Sequence, residues 1–313
     1  MKRYLSTFFK AVVSIFFVYL VARKVDVSAI GSIFRNVSIP FLLWILFMEF
    51  LVTVLIAFRW YLILYDFKEK WSFFEIWKLS LIGLYFNILL PTGSGGDAVK
   101  IIYLTRNQQE RLKLGTSVVF DRFIGSSTIV FMAILGIFFY SRYLPEKLKI
   151  TITGLLVLVL VVWVIILSDR FASFIGSLFP SIIRDKLRAF YNHLRDYGIN
   201  FPILLKVIIA SMIVQILSVY VQYLSAILVS QTKMTMPFPL FFVFIPIIWL
   251  SAAVPSLGGL GIREYGYLFF FGPYLGKDTA IALSLINLLL IFFQAFLGAI
   301  AFLFFRSKHQ VSE

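Results

Sequence analysis

An all-α polytopic membrane fold is predicted by three features of this 313-residue sequence: its apolar content, the confinement of its charges, and two Pro/Gly knots that resemble each other. Hydrophobic residues make up 61% of the chain and mean hydropathy is +0.95, against roughly 45–50% apolar residues in soluble domains. No globular core absorbs that excess. The charged 14% falls mostly between apolar runs rather than through them, leaving stretches of membrane-spanning length uninterrupted. One multi-pass domain in the cell (cytoplasmic) membrane is expected to fill residues 1–313.

Six segments, 5–22, 41–64, 114–140, 150–168, 203–230 and 279–305, come near or above the roughly 20 residues a span requires. The first follows Met1-Lys2-Arg3 like a signal peptide. It is long for a cleaved apolar region, and Arg23-Lys24 stand where a small-residue cleavage site belongs, so it reads as a retained span. Residues 169–202 divide a first half, 1–168, from a second half, 203–313. In this linker Phe171, Phe174, Ile175, Leu178 and Phe179 share one face of a helix, which predicts an amphipathic segment on the membrane surface.

Segments 72–112 and 237–276 do not read as simple spans. Leu90-Pro91-Thr92-Gly93-Ser94-Gly95-Gly96-Asp97-Ala98-Val99-Lys100 in the first lies alongside Val254-Pro255-Ser256-Leu257-Gly258-Gly259-Leu260-Gly261-Ile262-Arg263 in the second. A Pro followed by Gly-Gly breaks a helix and frees backbone polar groups, which survive at membrane depth only where protein or water satisfies them. A loop at the membrane surface would explain one knot; recurrence in both halves favours two re-entrant helical hairpins. The count is then six full spans plus two hairpins, or about eight spans if the hairpins cross. Placing Lys2-Arg3, Lys68 to Lys70, Arg106 to Lys113, the linker bases and Arg306 to Lys308 in the cytoplasm, with both termini, requires the hairpins to face opposite ways. Arg23-Lys24, the loop with Arg142, Lys147 and Lys149, and Lys233 remain outside. Opposed hairpins are the mark of an inverted repeat, which many transporters use to build a midplane site.

The net charge of +14 is topological on this reading, since the bases flank apolar runs where anionic headgroups lie, and no nucleic acid is expected as partner. With no Cys, only His193 and His309, both in surface segments, and no phosphate-binding GxxxxGK motif, neither a metal nor a cofactor is expected. An ATP-driven pump or a hydrolase is disfavoured.

Intramembrane charge marks candidate sites, because an ionised group at the bilayer centre costs roughly 2.5–3.5 kcal/mol on insertion scales. Arg59 and Trp60 lie near a span end, where snorkelling and interfacial anchoring explain them. Glu49 is deeper, ten residues from Arg59 on another face, and needs a partner elsewhere. Glu75 and Lys78, one turn apart, neutralise each other at the interface. Asp121 and Arg122 sit inside a span, pointing about 100° apart; they either clamp a knot or contact a ligand, and Gly125 lets a group approach one turn on. Asp97 suits the N-cap of a helix carrying Lys100, Tyr103 and Arg106, whose N-terminal dipole would favour a phosphate. Arg263 and Glu264 follow the second knot similarly. Gln215, Gln222 and Gln294 serve substrate or, more commonly, helix-to-helix hydrogen bonds.

Together Asn87-x-x-Leu90-Pro91, Gly95-Gly96-Asp97-x-x-Lys100, Arg106, Asp121-Arg122-x-x-Gly125 and Pro255-x-x-Gly258-Gly259-Leu260-Gly261-x-Arg263-Glu264 resemble the lysylphosphatidylglycerol synthase transmembrane, or flippase-like, family over nearly the whole chain. Lys100 stands where that family leads one to expect Arg, and Tyr265 where Gly is usual. The resemblance implies translocation of a phospholipid, aminoacylated phospholipid or polyprenyl-linked lipid between leaflets. The aminoacyltransferase domain of full-length synthases does not follow within this sequence, so synthase activity is not expected. The implied substrate-binding set is Asn87, Gly95, Gly96, Asp97, Lys100, Arg106, Asp121, Arg122, Gly258, Gly259, Arg263 and Glu264, with no catalytic residue. Lys100, Arg106, Arg122 and Arg263 would hold an anionic headgroup, positioned by Asp97, Asp121 and Glu264. The rival readings are a membrane-embedded lipid-modifying enzyme using those acids, and a scaffold for a separate glycosyl- or aminoacyltransferase. An oligomer is compatible with any of them.

Overall fold

The computed structural model describes residues 26–67, 69–90, 95–106, 110–140, 146–167, 181–230, 236–251 and 261–305. Among these every regular element is helical: α1 (Val27–Arg35), α2 (Ile39–Ile63), α3 (Phe73–Leu89), α4 (Gly95–Thr105), α5 (Arg111–Tyr140), α6 (Glu146–Leu167), α7 (Ser181–Ile199), α8 (Phe201–Val229), α9 (Phe241–Ser251), α10 (Ile262–Leu275) and α11 (Lys277–Leu303). The expected span 5–22, knot residues 91–94 and 252–260, and the linker residues Phe171, Phe174, Ile175, Leu178 and Phe179 lie outside the described residues.

Four helices, α2, α5, α8 and α11, are long and apolar enough to cross a membrane, and each coincides with an expected span to within a few residues. At 25 residues, α2 is about 38 Å long and exceeds the ~30 Å hydrocarbon layer. Its exposed Leu43, Phe47 and Phe58, like Leu289 and Phe296 on α11, are suited to lipid contact. The chain is a multi-pass membrane protein. α6 occupies the place of the expected span 150–168. α4 and α9, at 11 residues each, are only about 17 Å long.

Local chemistry fixes several helix starts. Ser72 and Glu75 form a reciprocal capping box on α3, the Ser72 N–H and hydroxyl both donating to Glu75 Oε2 (3.0 and 2.8 Å). Glu75 is therefore a cap, and Lys78 is exposed, rather than the two neutralising each other. Pro occupies the first turn of α2 and of α8, where its missing N–H costs nothing. The second half of the expected linker is helix α7, docked on α5: the Tyr197 ring stacks on Phe120 at 5.5 Å and its hydroxyl donates to the Lys113 carbonyl (3.2 Å).

The largest apolar cluster joins α2, α8, α9, α10 and α11 around Val219, Phe241, Tyr267 and Leu283; a second joins the end of α2 to α3, α5 and α7 around Trp60, Ile76 and Phe120. Glycines bring the backbones close. A Cβ on Gly298 would overlap the Leu81 carbonyl oxygen, so α11 lies directly on α3. α9 and α10 run antiparallel, pairing Ile248 with Gly266 and Phe244 with Phe270. α3 and α4 do likewise, with Gly83 and Asn87 facing Gly96.

Candidate functional site

The start of α4 is held by Asn87, whose Oδ1 accepts the Gly96 N–H at 2.9 Å. A Cβ on Gly96 would overlap the Gly83 carbonyl, and one on Gly83 would collide with the Lys100 stem; Gly95 packs on Leu90 in the same way. These contacts require glycine for want of space. They press the Lys100 chain flat across Gly83 and bring its Nζ 5.4 Å from the centre of the Trp60 ring, a cation–π distance. Trp60 is fixed in turn by Nε1–H donation to Ser117 Oγ (3.1 Å).

Asp97 is the junction of the site. Because α4 begins at Gly95, Asp97 lies in the first turn rather than at the N-cap. Its carboxylate faces two cations: Arg122 donates from Nε at 2.7 Å and also from Nη2, and Lys100 Nζ lies at 3.6 Å. Lys100 and Asp97 are largely buried, whereas 51% of the Arg122 side chain is exposed, so a cation bound along one edge keeps an open edge. Of the expected clamp partners, Arg122 reaches the first knot and Asp121 does not. Arg106 is exposed beyond the end of α4 and joins none of these contacts.

Asp121 instead binds Arg59. Arg59 Nε and Nη2 donate to its two oxygens at 2.7 and 3.0 Å, and Nη1 donates to Ser211 Oγ at 3.1 Å, which also bonds Thr128 Oγ1 at 2.7 Å. All four residues are buried. Arg59 is thus no snorkelling residue but the centre of a three-helix clasp between α2, α5 and α8. The approach that Gly125 permits is that of Arg59 itself, since a Cβ there would stand 3.1 Å from Nη1. Asp121 and Gly125, one turn apart, signal a slot for a large side chain; the identity of the side chain lies 62 residues away.

The second knot ends at Gly261, whose φ of 84° is a left-handed conformation open to glycine. Its N–H donates to Glu264 Oε2 at 2.5 Å, and Glu264 Oε1 lies 3.7 Å from Arg263 Nη2. Arg263 is 7% exposed and its Nε has no hydrogen-bond partner. Gly258 and Gly259 lie outside the described residues. No described contact joins Arg263 and Glu264 to the Asp97 cluster. Within the second half Tyr267 donates to Gln222 Oε1 (2.9 Å) and Gln222 to Asn287 Oδ1 (2.8 Å), and Gln294 reaches across to Glu49 in the first half. Gln222 and Gln294 therefore make helix-to-helix bonds, and Gln294 is the partner Glu49 requires. Among the described residues no group of three His, Asp or Glu side chains could hold a metal ion.

The model of the family described as "Lysylphosphatidylglycerol synthase TM region" matches residues 7–305, nearly the whole chain. No curated protein and no solved structure matches.

Proposed function

We propose that this chain, which belongs to the lysylphosphatidylglycerol synthase transmembrane family, moves an anionic lipid, a phospholipid or a polyprenyl-phosphate-linked lipid, between the leaflets of its membrane. The observation that carries the reading is the Asp97 junction. A guanidinium has five N–H donors; Asp97 takes Nε–H and one from Nη2, and the outer edge of a half-exposed Arg122 is left for phosphate oxygens. Lys100 stands beside it, and the N-terminus of α4, whose Gly96 N–H is taken by Asn87, adds the positive end of a helix dipole. Arg263, with an unpartnered Nε, offers the second contact from the other half.

In this mechanism the hairpins α3–α4 and α9–α10 enter from opposite leaflets and present their cations in turn, so that a headgroup passes from one to the other. The acyl chains stay in lipid throughout. That arrangement avoids the dominant cost of translocation, about 0.8 kcal/mol for each CH₂ brought into water. The protein supplies only a polar path for the headgroup.

The test is a leaflet-resolved assay in proteoliposomes containing a labelled anionic lipid. Wild-type protein accelerates equilibration between leaflets, and Arg122→Ala and Arg263→Ala proteins that fold normally lose most of that rate. Wild-type rates from both variants would overturn the reading. A new lipid species formed on incubation would favour an enzyme instead.

A further inference from the structure

Among the described acidic side chains embedded in the helical bundle, Glu49 stands apart in having no cation. Asp121 has Arg59, Asp97 has Arg122 and Lys100, and Glu264 has Arg263. Glu49 is buried in the middle of α2, the eleventh of 25 residues, and its hydrogen-bond partner is the neutral amide of Gln294 on α11. A lone carboxylate at that depth is costly, and intramembrane acids of this kind mark proton relays. We infer that Glu49 is a proton-binding site within the translocation pathway, where binding of one proton, carboxylate to carboxylic acid, accompanies movement of one anionic headgroup.

The partner suits both states. A carboxamide carries two N–H donors and a carbonyl acceptor: its NH₂ donates to the carboxylate, and after rotation its oxygen accepts from the carboxylic O–H. No hydrogen bond is lost when the proton binds. Among the described residues no free charge competes: from α10, the Tyr267 hydroxyl donates to Gln222, and Arg263 and Glu264 face each other. From α11 the groups on this face are Gln294 and, seven residues or two turns earlier, Asn287, while Lys277 and Asp278 lie at the far N-terminal end. From α8 they are the polar Ser211, Gln215, Gln222 and Ser225, and the one charged residue of that helix, Lys206, is exposed. From α3, Trp77 reaches Thr53, Glu75 is engaged in the capping box and Lys78 is exposed. From α5, Asp121 is bound to Arg59, ten residues or about 15 Å along α2 from Glu49, and Arg122 is bound to Asp97.

The same face of α11 links Glu49 to the second hairpin. Gln294 and Asn287 share it, and Asn287 is joined through Gln222 to Tyr267 on α10, one turn beyond the Arg263–Glu264 pair. A change at Glu49 therefore acts on the helix that carries Arg263. Pairing each anionic headgroup with one proton also makes the step electroneutral, so the membrane potential does not oppose it.

This inference rests on the translocation reading, and two readouts separate them. Infrared difference spectra of wild-type protein, titrated from alkaline to acidic pH, gain a carboxylic-acid C=O band that is missing from Glu49→Gln protein; this measurement involves no transport. In proteoliposomes with a pH difference of one unit, one proton per lipid gives a steady-state leaflet asymmetry of about tenfold. Glu49→Gln protein still moves lipid but equilibrates it evenly. Failure of wild type to move lipid under any gradient sinks the translocation reading and the coupling with it, while the infrared band still decides the proton site. Asymmetry retained by Glu49→Gln, or spectra of wild type and Glu49→Gln that respond identically to pH, would overturn the inference.

Discussion

The two helical pairs that flank the knots, α3–α4 and α9–α10, have similar sequence patterns and are held together by different forces. In the first, backbone meets backbone at Gly96 and Gly83, Asn87 accepts from the Gly96 N–H, and Asp97 gathers Lys100 and Arg122. In the second, rings form the seam: Phe241 on Phe271 at 5.0 Å, and Phe244 on Phe270 at 5.1 Å. Its ion pair is looser, and Arg263 Nε is unsatisfied. Polar contacts fix the first pair rigidly. Ring contacts hold the second pair, and its buried Arg263 keeps an Nε–H without a partner.

The largest effect should come from breaking the tight contact. Gly96→Ala places a methyl group against the Gly83 carbonyl and the Asn87 side chain, neither of which can move aside cheaply, and should cost upwards of 3 kcal/mol or abolish folding. The counterpart Gly266→Ala meets Ile248 Cγ1 at 3.1 Å, a side-chain atom rather than backbone, and should cost about 1 kcal/mol. Thermal unfolding in detergent compares them. Equal losses would erase the distinction between the pairs.

Next in size is the Arg59–Asp121 clasp. Asp121→Ala strands a buried guanidinium and should destabilise by about 3–5 kcal/mol, whereas the double substitution Arg59→Met with Asp121→Leu should recover most of that loss. Recovery of both stability and lipid movement in the double variant would assign the clasp to architecture alone. Arg122→Lys is milder: the charge stays and stability barely changes, but the planar fork proposed to hold phosphate is lost. Retention of anionic lipid should fall about tenfold, the worth of one charge-assisted hydrogen bond.

The smallest effect lies far from both pairs. Asp26 caps α1, accepting from the Ser28 hydroxyl and from the Ser28 and Ala29 amides, and these bonds hold its carboxyl below the usual carboxylate range. Because the folded value is depressed, the stabilisation is complete at neutral pH and disappears as pH falls below about 4. Asp26→Ala should therefore lower the melting temperature slightly at pH 7 and not at all in strong acid.

The spans were legible because a bilayer demands long apolar runs, and α2, α5, α8 and α11 fall where those runs are. The first cluster was legible in part: Asp97 and Lys100 are neighbours on one helix, and Arg122 stood out as a charge within a span. Arg59 was not legible. Its position near a helix end fits snorkelling as well as burial, and what decides is Asp121 on a helix 62 residues away. The Glu49–Gln294 contact spans 245 residues, and no local pattern encodes such a pairing. Asn87 entered through the family motif, and its use, accepting from Gly96, is a matter of backbone geometry that composition does not express.

The cations at the two knots are proposed to hold an anionic headgroup. Native mass spectrometry of the protein with its co-purified lipids tests it most directly. Wild type should retain anionic lipid selectively and the folded Arg122→Ala, Arg263→Ala double variant should lose it; the same lipids in the same proportions on both would refute a role for these cations.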